Sequence, residues 1–123
     1  MLNFINEVKE IFTIEQMFPA LGQGAIALQI KKEDRKTLSL VEAINDKETY
    51  YCIQAERALL EAIGGDCDTA IGGLAVLSNE KIFLKSELFS NDGKKKFEFQ
   101  SSGHFSEAKE IGYKVGKELL KKA

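Results

Sequence analysis

The chain has 123 residues, 44% hydrophobic and 29% charged, a balance that supports a folded core and excludes a disordered chain. Seventeen basic against nineteen acidic residues leave a net charge of -2, so no basic field points to nucleic acid as a partner. Cys52 and Cys67 lack the companions that a zinc site or a disulfide scaffold needs.

From Met1 to Phe12, polar Asn3, Asn6, Glu7, Lys9 and Glu10 interrupt the apolar residues, which excludes a secretory h-region or a membrane span. The cytoplasm is the expected location. Phe4, Ile5, Val8, Ile11 and Phe12 recur at helical spacing, which predicts a short amphipathic helix over residues 2–12. Pro19, the only proline, sits between Met17 and Gly24 and marks an irregular hinge. The apolar run Ala25 to Ile30 predicts a strand buried on both faces. A helix follows from Glu33 to about Asn45, with Leu38, Val41 and Ile44 on one side. Asp46 is the expected N-cap of a longer helix whose stripe is Cys52, Ala55, Leu59, Ala62 and Ile63. Gly64 and Gly65 stop it.

Beyond Cys67 the period becomes strand-like, over Ala70 to Leu77, Lys81 to Phe89 and Lys95 to Gln100. Asp92-Gly93 is a strong hairpin signal. A final helix starts near Ser106 and carries Ala108, Ile111, Val115 and Leu119 on one face. The expected fold class is α+β: a three-stranded antiparallel sheet packed with helices, preceded by a helix-strand-helix piece.

Few residues invite a chemical reading. Gly22-Gln23-Gly24 lacks the preceding strand and following helix of a phosphate-binding fingerprint, so a hinge or close backbone approach is preferred. Cys67 lies on a glycine-rich loop between a helix C-terminus and a strand. Its neighbours Asp66 and Asp68 oppose a thiolate, so the residues alone favour an inert thiol over a nucleophile. Cys52 falls on an apolar stripe and reads as core. His104 reads as an exposed linker residue. Lys94-Lys95-Lys96 reads as a solvated strand end that resists edge pairing.

The order of residues says more. Phe18-Pro19-Ala20-Leu21-Gly22-Gln23-Gly24-Ala25, then Ala55-Glu56-Arg57-Ala58-Leu59, then Gly64-Gly65-Asp66-Cys67-Asp68-Thr69-Ala70-Ile71-Gly72 resembles the C-terminal portion of the porphobilinogen deaminases, or hydroxymethylbilane synthases. The resemblance covers the whole chain. It implies a transferase of tetrapyrrole (heme) biosynthesis that joins four porphobilinogen units into hydroxymethylbilane and releases ammonia at each step. It also implies a dipyrromethane cofactor held by a thioether at Cys67, with Gln23 and Gly24 close to it. A covalent anchor reacts once, so it does not require a depressed thiol pKa. Glu56 and Arg57 match the family's helix motif, and a surface ion pair or a cap on a neighbouring loop is the preferred reading for them. Asp66 and Ala70 depart from the small residue and the proline usual in that loop, and Lys31 stands where arginine is common.

By the same resemblance, residues 1–43 are a remnant of the second and first domains, and residues 44–123 are the cofactor-anchoring domain. The catalytic aspartate and the substrate-binding arginines are expected outside this chain, which alone is then inactive. Its expected partners are porphobilinogen, as substrate of the full-length enzyme, and the missing N-terminal domains. The full-length enzyme is expected to be a monomer, whereas this portion is expected to self-associate. The competing expectation is a non-catalytic binding or assembly domain in which the thiol is incidental.

Overall fold

Two capping residues bracket the longest helix. In the computed structural model, which describes residues 7–64 and 69–123, Asp46 accepts a hydrogen bond from the Thr49 amide at 2.7 Å and starts the helix. Gly64 ends it in the left-handed region, at φ 68°. The helices are α1 (Arg35–Ile44), α2 (Lys47–Ile63) and α3 (Ala108–Lys122), and the strands are β1 (Ile71–Ser78), β2 (Lys81–Phe89) and β3 (Lys96–His104). A 3-10 turn over Phe105–Glu107 leads into α3.

The strands form one antiparallel sheet in the order β1-β2-β3, in which Ile71 pairs with Leu88 and Phe89 with Lys96. The three-stranded meander and the α+β class follow the expectation. Asn79 and Glu80, both at positive φ, make the first reversal. Asp92 and Gly93 lie in the second, where the Gly93 amide donates to the Ser90 carbonyl at 2.8 Å.

One sheet face carries Ala75, Ile82, Leu84 and Leu88 into the core, where Ala55 and Leu59 of α2 meet Ala108, Ile111, Val115 and Leu119 of α3. The helices touch through small residues. A Cβ placed on Gly112 would fall among the Ala55 carbonyl, Ala58 and Leu59, and one on Gly116 would lie 2.7 Å from the Ala62 Cβ. These contacts advance together along both helices, so α2 and α3 run in the same direction.

Two expected elements are absent among the described residues. Residues 2–6 of the expected first helix, with Phe4 and Ile5, lie outside the described residues; residues 8–12 are irregular, and Val8, Ile11 and Phe12 are exposed. An apolar stripe needs a surface to cover it, and a helix this short is marginal without one. Residues 25–30 join no sheet, and Ile26 is 92% exposed. A strand needs a neighbour for its amides, and residues 25–30 pair with neither edge of the three-stranded sheet. The helix expected from Glu33 does form as α1, capped by Asp34 through the Thr37 amide at 3.0 Å, but none of its residues is buried. No helix of the described residues is long and apolar enough to cross a membrane.

Candidate functional site

The free edge of β1 is where the N-terminal segment meets the sheet. The Gly73 amide donates to the Pro19 carbonyl at 2.9 Å, and the Ala75 amide donates to Glu56 Oε1 at 2.8 Å. The other oxygen of that carboxylate, Oε2, accepts from the Gly22 amide at 2.6 Å. Glu56 is only 4% exposed, and both oxygens of this buried carboxyl are occupied by main-chain donors, as buried polar groups require. Gly72 and Gly73 make room for the segment: a Cβ would lie 3.0 Å from the Phe18 Cβ at the first and 2.9 Å from Leu21 Cδ2 at the second. The Lys85 ammonium stands 5.2 Å from the centre of the Phe18 ring, a further tie across the segment.

This geometry decides between the readings of Glu56 and Arg57. Glu56 caps a neighbouring turn, whereas Arg57 faces solvent and forms no ion pair among the described residues. The depth of Glu56 escapes a reading that treats charged helix residues as surface. Its position gives a signal all the same, because it falls between Cys52 and Leu59 on the buried stripe.

Gly22 and Gly24 adopt positive φ, 76° and 80°, which turns the chain where a Cβ would be strained. Gln23 and Gly24 are exposed and line a cleft of about 400 Å³ with Thr49, Cys52, Glu56 and Val76. Cys52 is free and half-buried, at the margin of the core and at the wall of this cleft. Burial, then the nearby Glu56 carboxylate, pushes its thiol above the usual range.

Cys67, Asp66 and their loop lie outside the described residues. The flanks of that loop are Gly64, at the end of α2, and Thr69 with Ala70 before β1. Thr69 and Ala70 open onto a broader cleft of about 730 Å³, whose wall includes Ile63, Phe89, Ser90 and Phe97. The structure therefore places Gln23 and Gly24 in one cleft and the downstream flank of the Cys67 loop in another. The 18–22 segment leads into the first of these clefts and packs on Gly72 and Gly73 of β1.

One surface reading changes. His104 is the last residue of β3 rather than a linker residue, and its Nδ1 lies 2.8 Å from Ser106 Oγ at the start of the 3-10 turn. Lys96 sits between Glu87 and Glu98, 3.2 Å from an oxygen of each, and these contacts raise its pKa. Lys94 pairs with Asp92 at the turn. Two of the three lysines are thus paired, and all three stay exposed at the start of β3, as expected of a solvated strand end.

Most of α2, the whole sheet and most of α3 coincide with a known sequence pattern, whereas the 18–25 segment on the edge of β1 lies outside it. Residues 50–121 match the family model described as porphobilinogen deaminase, C-terminal domain. The chain belongs to the porphobilinogen deaminase family. It is 35% identical over 119 residues to the porphobilinogen deaminase of Coxiella burnetii, covering 97% of this chain and 39% of that protein. It is 38% identical over 124 residues to the protein of that name from Chlorobium chlorochromatii, covering 98% of this chain and 40% of the relative. With the Macrococcus caseolyticus porphobilinogen deaminase it shares 36% identity over 112 residues, 91% of this chain and 36% of that protein. The chain thus spans about two fifths of the length of these curated relatives. The family match runs from α2 through β1, β2 and β3 into α3, and includes Cys67.

Proposed function

We propose that this chain is the cofactor-carrying portion of a porphobilinogen deaminase, a transferase that joins four porphobilinogen units head to tail into hydroxymethylbilane and releases ammonia as each is added. Membership of the family across residues 50–121 is the observation that carries this reading. Cys67 is the attachment point of a dipyrromethane group, which supplies the primer onto which pyrrole units are joined.

The described residues suit that task. The left-handed Gly64 ends α2 sharply before the loop, and Thr69 and Ala70 border a cleft that leaves room for a bulky adduct. The chain's own contribution is to hold and orient. Cys67 gives up its thiol proton once, on attachment, and afterwards serves as a tether, so the acidic neighbours Asp66 and Asp68 slow only that single event. Gln23 and Gly24 are the residues of this chain assigned to lie near the tethered group. None of its residues is assigned an acid, base or nucleophile role in turnover.

Residues 1–43 are assigned to the other domains of the enzyme and residues 44–123 to the carrier. Exposed Ile11, Phe12, Ile26 and Leu28 support this division, because apolar side chains at such density ordinarily face a partner surface. The catalytic aspartate and the arginines that bind substrate carboxylates are assigned outside this chain, which by itself is inactive. The cytoplasm is the assigned location.

Intact-mass spectrometry of the complete protein tests the reading. A dipyrrole adduct with a positive Ehrlich colour reaction is expected, and Cys67→Ser abolishes both. An adduct that survives Cys67→Ser, or complete protein that turns over porphobilinogen without any adduct, overturns the assignment.

A further inference from the structure

Among the described residues, beyond the local turn bonds from the Gln23 and Ala25 amides, the hydrogen bonds that join the 19–22 segment to the rest of the chain end on two acceptors, the Pro19 carbonyl and the Glu56 carboxylate. The first is a main-chain group that any residue supplies. The second is a side chain rooted in α2 that reaches an amide of the turn and an amide of β1 at once, at 2.6 and 2.8 Å. One carboxylate therefore sets the relative place of three elements. Gln23 and Gly24 follow Gly22 directly, while α2, which ends at Ile63, and β1, which begins at Ile71, are the elements on either side of the Cys67 loop. Phe18 and Leu21, packed on Gly72 and Gly73, seat the segment against the strand, but apolar contacts leave its sliding along the edge less constrained than hydrogen bonds do.

An ionised carboxylate is suited to this post because it only accepts. A glutamine of the same shape offers one accepting oxygen and turns an NH2 group toward the second main-chain amide, donor against donor.

We propose that Glu56 is a positioning residue of the deaminase, whose carboxylate keeps the Gln23–Gly24 turn in register with the helix and strand that flank the Cys67 loop. It touches no reacting group. Only its consequence for turnover rests on the function proposed above.

The test is E56Q in the complete protein that contains this chain, read by amide hydrogen exchange, intact mass and steady-state kinetics with porphobilinogen. Exchange at Gly22 and Ala75 is expected to rise by about tenfold or more, while the β2–β3 ladder keeps its protection. The dipyrrole adduct is expected to remain, with kcat lowered by about tenfold and KM changed little, because displacement of a positioning element acts on alignment rather than on substrate capture. Unchanged exchange at Gly22 and Ala75 overturns the proposal, as does a rise that spreads through the β2–β3 ladder, which would make Glu56 a general core support. A wild-type kcat in spite of the local loosening also overturns it. An absent adduct in the wild-type protein counts against the function reading instead and leaves the exchange result to decide the local role of Glu56. E56A, which removes both acceptors, is expected to loosen the same two amides further, and a smaller effect than E56Q overturns the proposal.

Discussion

Gly112 faces Ala55 across the helix pair with no space for a side chain: a Cβ there would lie against the Ala55 carbonyl and 2.8 Å from the Ala58 Cβ. Because the opposing atoms are main chain and a methyl group, neither side can rotate away. G112A is expected to force α2 and α3 apart and to cost about 3 kcal/mol or more, at the upper end of overpacking effects. G116A meets the Ala62 Cβ at 2.7 Å and is expected to cost less, about 1–3 kcal/mol. Urea unfolding midpoints rank the two, and equal midpoints for G112A and wild type would contradict the packing.

The reversal between β1 and β2 holds Glu80 at φ 63°, a region where a side chain crowds its own backbone. Glycine at the second position is the usual solution for this turn. E80G is expected to stabilise the protein by about 0.5–1 kcal/mol, the relief of strain exceeding the added freedom of the unfolded chain. Thermal unfolding checks the sign.

Burial and the Glu56 charge hold the Cys52 thiol above its ordinary pKa. The reactive thiolate is consequently scarce near pH 8, and Cys52 is expected to react with iodoacetamide more slowly in the native protein than in urea. Peptide mapping of the alkylated site measures both rates. A native rate equal to the unfolded rate would contradict the placement at the core margin.

Asp46 has its carboxyl pKa lowered below the ordinary 3.8, first by the backbone amide of Thr49 and then by that residue's side chain. A group with a lowered folded pKa stabilises above its unfolded value and loses that contribution as pH falls through the folded value. The cap is thus present at neutral pH and is lost progressively below the ordinary 3.8, as pH falls through the lowered folded value. D46A is expected to lower the melting temperature at pH 7, whereas D46N keeps the cap and flattens the acid limb. Melting curves from pH 7 to pH 2.5 compare the three proteins.

Local signals were readable wherever the residues that decide an element are its own neighbours. Asp46 and Gly64 announced the ends of α2, and Asp92-Gly93 announced a turn. The expected last strand stopped at Gln100 although β3 continues to His104, because Ser101, Ser102 and Gly103 have weak strand propensity and are held by pairing with β2. Residues 8–12 and 25–30 misled for the opposite reason: their patterns state that apolar faces exist and are silent on whether this chain can cover them. The candidate site was legible as an order of motifs and not as geometry. Nothing in the spacing of Pro19, Glu56 and Gly73 shows that they meet at one strand edge.

The two short reversals give the sheet a folding order as well as a shape. β1, β2 and β3 close through turns of a few residues, so their ladders can zip with little loop entropy to overcome. The contact of Ala55 and Ala58 with Gly112 spans roughly half the chain and cannot be completed until the meander has drawn α3 back over it. A ribosome releasing this polypeptide would therefore see the hairpins form first. The helix-on-sheet core would lock only when the last turn of α3 emerged, a late commitment that exposes the apolar face of α2 to chaperones in the interval.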